Sequence, residues 1–143
     1  MLYCMSHYLS NYLRYALASM LLLLPVTAWS QMTTHTDLAF AKTGERDLLL
    51  DLYLPDGVSQ APLIVWLHGG AWRAGSKENV EAGAIVEHGF ALASIGFRNS
   101  GEATFPAQIH DIKAAIRFLR AKAADYGYDA SRIAVWGVSS GGR

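Results

Sequence analysis

Cysteine is almost missing from this sequence, since Cys4 is the single one among 143 residues. One thiol excludes an internal disulfide and any metal site built from several thiolates. An excess of charge of either sign is also missing, because 12 lysine and arginine side chains balance 12 aspartate and glutamate side chains. Without a basic surface for phosphates, nucleic-acid binding has no support. The chain is 52% hydrophobic, which is enough for the core of one domain.

A long apolar run occurs only near the start of the chain. Arg14 is followed by YALASMLLLLPV, about a dozen residues, whereas a membrane-spanning helix needs about 20. Small residues follow at Ala28 and Ser30. This order predicts a secretory signal peptide over residues 1–30, cleaved before Gln31, and hence a secreted or periplasmic protein without stable membrane insertion. An uncleaved membrane anchor and a buried helix are the alternatives.

Four segments after the predicted signal have the composition of strands. Their ranges are 47–55, 63–67, 90–95 and 132–137. In the first, Leu48, Leu50, Leu52 and Leu54 share one side, and residues 36–47 offer a hairpin partner with a turn near Gly44. The other three are apolar throughout, which is typical of strands covered on both sides in a parallel sheet.

Two segments between these strands predict helices. The first covers residues 76–89, with Ser76 as its N-cap and Gly89 just past its end. The second covers residues 105–127, with Pro106 in its first turn. Its apolar stripe at helical spacing consists of Ile109, Ile112, Ile116 and Leu119. The alternation of strands and helices predicts an α/β fold, with helices on both faces of a mostly parallel sheet.

The last predicted strand runs into WGVSSGG, residues 136–142. Gly137, Ser139 and Gly141 form the pattern G-x-S-x-G at the end of a strand, where a nucleophile elbow is expected to expose a serine hydroxyl. The glycines let the neighbouring backbone approach closely. The alternatives are a glycine-rich strand-to-helix turn that only packs and a turn that binds phosphate. The lysine of a phosphate-binding loop is absent, as is the dinucleotide fingerprint G-x-G-x-x-G.

A second glycine-rich motif, His68-Gly69-Gly70-Ala71-Trp72, follows the strand at 63–67. Adjacent glycines at a strand end expose backbone N–H groups, which are the donors that the oxyanion of ester cleavage requires. The N–H of Ser140, the residue after the serine, would supply a further donor. A plain loop is the alternative interpretation.

Three blocks in order, VWLHGGAW, GFRNSGEATFPAQIHDIKAAIRFLR and RIAVWGVSSGG, resemble the α/β-hydrolase fold. Within that fold they are similar to esterases of the hormone-sensitive-lipase and BD-FAE (feruloyl/acetyl-esterase-like) type. The resemblance implies that residues 31–143 are the N-terminal part of an α/β-hydrolase domain. It also implies that Ser139 is the nucleophile and that Gly69, Gly70 and Ser140 form the oxyanion hole through backbone N–H groups.

The same resemblance implies the chemistry. A serine carboxylesterase or lipase cleaves a small-molecule ester through an acyl-enzyme, without a metal or an organic cofactor. The chain departs from the family pattern twice: Ser140 stands where alanine is more common, and Arg143 where histidine is more common. Neither departure removes a backbone N–H.

A serine hydroxyl needs a base that takes its proton. In this fold the chain order is serine, acid, histidine, and His35, His68, His88 and His110 all precede Ser139. None of them is therefore expected to be the base, and His68 is expected to order the glycine loop by a hydrogen bond.

Three further residues, Arg98, Asp111 and Trp72, have interpretations of their own. Arg98 follows the strand at 90–95 and Asp111 lies early in the next helix, so we hypothesise an ion pair between them beneath the active-site loops. Trp72 fits either a wall of an acyl pocket or a core position, and the sequence leaves both open.

Only Arg143 follows Gly142. We therefore expect a fragment of an esterase that lacks the triad acid and histidine, and that is inactive and poorly soluble by itself. Two alternatives stay open. A peptidase or amidase of the same fold would use the same elbow and oxyanion hole, and a truncated remnant would have no catalytic function.

Overall fold

The computed structural model describes residues 32–44 and 46–143. The predicted signal peptide, residues 1–30, lies outside the described residues. The regular elements are β1 (Met32–Thr43), β2 (Arg46–Pro55), β3 (Ala61–Leu67), β4 (Ala91–Ile95), α1 (Ala107–Tyr126) and β5 (Tyr128–Gly137). Two short 3₁₀ helices, Gly83–His88 and Ser139–Gly142, complete them. Within this part of the chain, no helix has the length and apolar character needed to cross a bilayer.

The strands form one sheet in the order β1-β2-β4-β3-β5. β1 and β2 form the predicted hairpin around Gly44, and β2 also pairs antiparallel with β4. β3 pairs in parallel with both β4 and β5. The sheet is therefore mixed, and its parallel part brings the carboxyl ends of β3 and β5 together, with Leu67 opposite Gly137.

Both faces of the sheet are covered, which confirms the predicted α/β class. On one face, α1 packs through Ala115 and Leu119 against a core that includes Leu50 and Leu52 of β2. On the other face, the first 3₁₀ helix packs against the sheet. That second cluster consists of Trp66, Ala82, Val86 and Leu92. The burial of Leu50 and Leu52 follows from the alternation of apolar and polar residues in β2, as the sequence predicts.

The helix predicted over residues 76–89 is wrong for most of its length. The segment is irregular until the 3₁₀ helix Gly83–His88, and Gly89 then ends that helix with φ 83°. Ser76 is not an N-cap, because no helix begins after it; its N–H donates to Asn79 Oδ1 at 2.9 Å within an irregular turn.

Side chains from the sheet replace the helical hydrogen bonds of this segment. The Ser94 hydroxyl donates to the Lys77 carbonyl at 2.6 Å, and the Trp66 indole N–H donates to the Asn79 carbonyl at 2.7 Å. In an α-helix each carbonyl would accept from the N–H four residues ahead. Local propensity for a helix is thus overridden by tertiary contacts.

The buried side of α1 differs from the predicted isoleucine stripe. Its buried residues are Gln108, Asp111, Ala115, Leu119 and Ala123, and of the predicted stripe only Leu119 is among them. Small alanines let the helix approach the sheet, and the two buried polar side chains are both hydrogen-bonded to groups outside the helix. Hydrophobic periodicity does not detect polar residues that are buried with partners. Pro106 directly precedes the first helical residue.

The end strand β5 is less covered than predicted. Val135 and Trp136 are 53% and 50% exposed, and β5 pairs only with β3 among the described strands. Near its start, hydrogen bonds from Ser131 and Arg132 lower the pKa of Asp129 to about 2.

Candidate active site

Ser139 occupies a strained turn directly after β5. Val138 is still extended, whereas Ser139 has φ 52°, in the left-handed region. A residue with a β-carbon pays about 1–2 kcal/mol for that conformation. The turn is therefore sharp, and it leaves the Ser139 side chain exposed while Ser140 is buried.

Close backbone packing explains the glycines around this serine. A β-carbon on Gly137 would lie 2.7 Å from the Gly142 nitrogen, and one on Gly141 would lie 2.7 Å from the His68 carbonyl oxygen. The Val138 N–H donates to the Leu67 carbonyl at 3.2 Å, which extends the pairing of β5 with β3 into the turn. Any side chain at Gly137 or Gly141 would push the turn away from β3.

The structure brings Gly69 against Ser139. A β-carbon on Gly69 would lie 3.4 Å from the Ser139 β-carbon and 3.2 Å from the Val138 carbonyl oxygen. The Gly70 carbonyl accepts from the N–H groups of Arg73 and Ala74, which closes the loop after β3. Within the described part of the chain, the N–H groups of Gly69 and Gly70 donate to no backbone carbonyl. Donors without partners therefore lie beside the serine.

His68 is buried beneath this loop and holds it by a hydrogen bond. Its side chain is 1% exposed and its ring stacks on Phe97, with the centroids 4.3 Å apart. Its Nδ1 lies 2.8 Å from the Gly69 carbonyl oxygen, so Nδ1 carries the proton and donates it. Nε2 is buried and has no hydrogen-bond partner within the described residues. The ring positions the loop and offers no path to the serine.

Gly75 packs on the same ring. Its φ of 93° is a conformation that glycine adopts without strain, and a β-carbon there would lie 2.5 Å from the Gly69 carbonyl oxygen. The following loop supports this arrangement, since the Ser100 N–H donates to the Trp72 carbonyl at 2.6 Å. Trp72 itself is half-buried and packs against the core beside Phe97, with the ring centroids 6.2 Å apart.

The hypothesised ion pair between Arg98 and Asp111 is present. Asp111 is buried, and its carboxylate accepts from Arg98 Nη2 at 2.7 Å, from Nε at 2.8 Å and from the Arg98 backbone N–H at 3.1 Å. The hydrogen bonds to Asp111 raise the pKa of Arg98. This pair fixes the chain leaving β4 onto the first turns of α1.

A second buried charge, Lys77, was missed by sequence reasoning. Its ammonium is 2.8 Å from Asp51 Oδ1, 3.0 Å from Asp37 and 3.1 Å from Glu78. Burial lowers the pKa of Lys77, but the hydrogen bonds to these three carboxylates outweigh it and the net pKa is raised. No periodicity marks a single lysine in an irregular segment, and the polar Asp51 in β2 is the one hint that the sequence offers.

An open cleft of about 370 Å³ contains the serine. It is lined by Gly69, Gly70, Gly75, Asn79, Glu81, Val138 and Ser139. The predicted site residues Ser139, Gly69 and Gly70 thus share one cleft, whereas Ser140 lies under the turn with its side chain buried. Glu81 was not singled out from the sequence, because it belongs to the segment predicted as a helix.

The other histidines of the described residues lie elsewhere. His35 packs against Tyr126 at a centroid distance of 4.9 Å, and His88 and His110 are exposed on their helices. No hydrogen bond joins any described histidine to Ser139, and no group of three or more metal-binding side chains occurs in residues 32–44 and 46–143. An exposed hydroxyl beside backbone donors can attack a carbonyl once a base takes its proton.

Comparison with known proteins identifies relatives of this arrangement. The BD-FAE family profile matches residues 50–143. The chain is 35% identical over 104 residues to esterase LipQ of Mycobacterium tuberculosis, covering 68% of this chain and 25% of LipQ. Carboxylesterase NlhH of the same species is 36% identical over 103 residues, covering 69% of this chain and 32% of NlhH. The chain therefore spans about a quarter to a third of these relatives.

A solved structure titled a truncated form of carbohydrate esterase from gut microbiota is also similar. It has a TM-score of 0.67 and 38% identity, and the match covers 82% of this chain and 43% of that one.

Proposed function

Since the chain belongs to the BD-FAE family of α/β-hydrolase esterases, we propose that its protein hydrolyses carboxylic esters with Ser139 as the nucleophile. The observation that carries the proposal is the exposed serine at φ 52°, packed against Gly69 at the carboxyl ends of two parallel strands. A serine in a smooth helix, or one far from the glycine loop, would have given no support.

The reaction proceeds in two steps. The Ser139 hydroxyl loses its proton to a base while Oγ bonds to the ester carbonyl carbon, and the carbonyl oxygen becomes an anion. Backbone N–H groups of Gly69, Gly70 and Ser140 stabilise that oxygen, each donor lowering the barrier by about 2.7–4 kcal/mol. The alcohol leaves with a proton from the same base, and water then releases the acid from the acyl-enzyme by the reverse path.

The base and its acid follow the serine in the chain order of this fold. The described histidines support that assignment, because His68 is committed to the Gly69 carbonyl and stacked on Phe97. The activity proposed here therefore belongs to the complete protein, including any residues beyond position 143.

The test compares variants of the complete protein on p-nitrophenyl acetate and butyrate. Ser139→Ala is expected to lower kcat by about 10⁴-fold or more, as is typical when a nucleophile is removed. Ser59→Ala, an exposed serine in the loop between β2 and β3, is the matched control and is expected to match the parent. Turnover that survives Ser139→Ala would refute the proposal.

The same elbow and donors could serve amide cleavage. Fluorogenic amides in parallel with esters distinguish the two, and a higher kcat/KM on amides would replace the esterase with a peptidase or amidase. If the complete parent protein turns over neither esters nor amides, the interpretation as a non-catalytic remnant is supported. Acetylated sugars belong in the ester panel, because one structural relative is titled a carbohydrate esterase.

We also propose export through a cleaved signal over residues 1–30. The sequence pattern of an apolar run followed by small residues supports it. Mass spectrometry of the mature protein is expected to find Gln31 at the amino terminus, and an intact Met1 in exported material would contradict cleavage.

A further inference from the structure

We infer that Glu81 sets the charge preference of the cleft, so that neutral and cationic esters react faster than anionic esters. This inference rests on the proposed function of Ser139. Glu81 and Ser139 line the same open cleft of about 370 Å³. The other described lining residues are glycines, Asn79, Val138 and the serine, so the Glu81 carboxylate is the one ionisable side chain among them.

Glu81 forms no ion pair within the described part of the chain. Glu78, by contrast, contacts the Lys77 ammonium at 3.1 Å, and Glu102 pairs with Arg46. No lysine, arginine or histidine of the described residues lies within ion-pair distance of Glu81. A glutamate side chain is negative at neutral pH. Its field therefore acts on whatever enters the cleft.

The loop carries Glu81 into the cleft because the segment is not an α-helix. The Asn79 carbonyl accepts from the Trp66 indole N–H, and the Lys77 side chain turns inward to Asp51. These two contacts anchor the chain on either side of Glu78, and Glu81, three residues further on, is exposed and lines the cleft. Mutation of Glu81 removes no hydrogen bond or ion pair that the structure contains, so the fold is expected to tolerate it.

The physical effect is a difference in transition-state stabilisation between substrates. A carboxylate on the substrate is repelled by Glu81, and an ammonium is attracted. Because Glu81 is solvent-exposed, water and salt screen the interaction, and its size is expected to match that of exposed ion pairs. We expect about a two- to fivefold effect on kcat/KM at low ionic strength. A neutral sugar hydroxyl can instead donate a hydrogen bond to the carboxylate.

The experiment measures kcat/KM of the complete protein on matched thioesters. With butyrate as the common acyl group, butyrylthiocholine is compared with its neutral dimethylbutyl analogue and with an anionic sulfopropyl analogue. A second set places the charge on the acyl chain, with glutarate, pentanoate and 4-trimethylammoniobutyrate. The variants are Glu81→Gln and Glu81→Lys, measured at low salt and again in about 0.5 M salt, where the Debye length is only a few ångströms.

The control variant is Glu87→Gln. Glu87 is also exposed and lies on the adjacent 3₁₀ helix, but it lines a different pocket together with Val86 and Tyr53. Glu87→Gln changes the net charge of the protein by the same amount as Glu81→Gln but leaves the residues that line the cleft unchanged. In at least one substrate set, Glu81→Gln is expected to raise the anionic-to-neutral ratio and lower the cationic-to-neutral ratio. Glu81→Lys is expected to shift both ratios further, and high salt to remove the shifts.

Two failures are distinguishable. If the ratios of Glu81→Gln and Glu81→Lys equal those of Glu87→Gln in both sets while Ser139→Ala abolishes turnover, the esterase proposal stands and this inference is overturned. If turnover does not depend on Ser139, the proposed function itself is refuted.

Discussion

Replacing Gly75 by alanine is the most specific perturbation of the glycine loop that the structure offers. Gly75 is not in the serine turn, yet it packs against the ring of His68 and the carbonyl of Gly69. A new methyl group would lie 2.5 Å from the Gly69 carbonyl oxygen and 3.0 Å from His68 Cε1. Ordinary contacts of this kind need about 3.5 Å, so the loop must move by about 1 Å.

Two costs follow from this substitution. Alanine at φ 93° is strained, by about 1–2 kcal/mol. Overpacking against His68 and Gly69 adds about 1–3 kcal/mol. We therefore expect the free energy of unfolding to fall by about 2–5 kcal/mol. Displacement of the donors by about 1 Å is expected to lower kcat/KM by about 100-fold.

Gly57→Ala provides the matched control. Gly57 has φ 75°, and a β-carbon there would meet nothing within 4 Å. This variant carries the backbone strain without the clash, so its expected loss is about 1–2 kcal/mol with kcat/KM unchanged. The difference between the two variants isolates the contact with the loop.

The assays are urea denaturation followed by tryptophan fluorescence, and ester turnover of the complete protein at a temperature where both variants are folded. Equal unfolding free energies in the two variants would refute the clash. Equal kcat/KM values, with the clash present in the unfolding data, would refute the role of this loop in stabilising the oxyanion.

Three further predictions concern charged groups. Lys77→Met is expected to destabilise the fold by about 3–5 kcal/mol in denaturant titration, because it leaves Asp51 buried without its cation; an unchanged midpoint would contradict the network. Asp111→Ala is expected to lower the free energy of unfolding by about 3 kcal/mol, since the Arg98 side chain and N–H lose their acceptor. If adding Arg98→Ala to this variant restores part of the stability, that cause is supported. The lowered pKa of Asp129 predicts a stability contribution that is present above about pH 4, the unfolded value, and is lost as the pH falls toward 2; the acid limb of the stability curve should be shallower in Asp129→Asn, and identical limbs would argue against the shift.

Local patterns in the sequence were sufficient for most of the elements. The alternation in β2, the apolar runs of β3 and β4 and the turn near Gly44 all predict the strands that the structure contains. Each of these signals depends on residues that are neighbours in the chain, which is why they can be read without coordinates. The G-x-S-x-G turn belongs to the same class, because its position after a strand is itself a local feature.

The sequence did not predict the irregular segment before the first 3₁₀ helix. Residues 76–82 have helical composition, but the Asn79 and Lys77 carbonyls accept hydrogen bonds from Trp66 of β3 and Ser94 of β4. The buried side of α1 was missed for a related reason. Asp111 is buried because Arg98, thirteen residues away, satisfies it.

The chain's order of residues by itself determined that a serine would follow one buried strand and a pair of glycines another. Only the tertiary structure decided that the two meet, because parallel pairing of β3 with β5 places Leu67 beside Gly137 and carries Gly69 to the serine. It also decided which charges surround them: Lys77 is held inside by Asp51, and Glu81 is left in the cleft. Pairing between distant segments is a property of the folded sheet, and no window of neighbouring residues contains it.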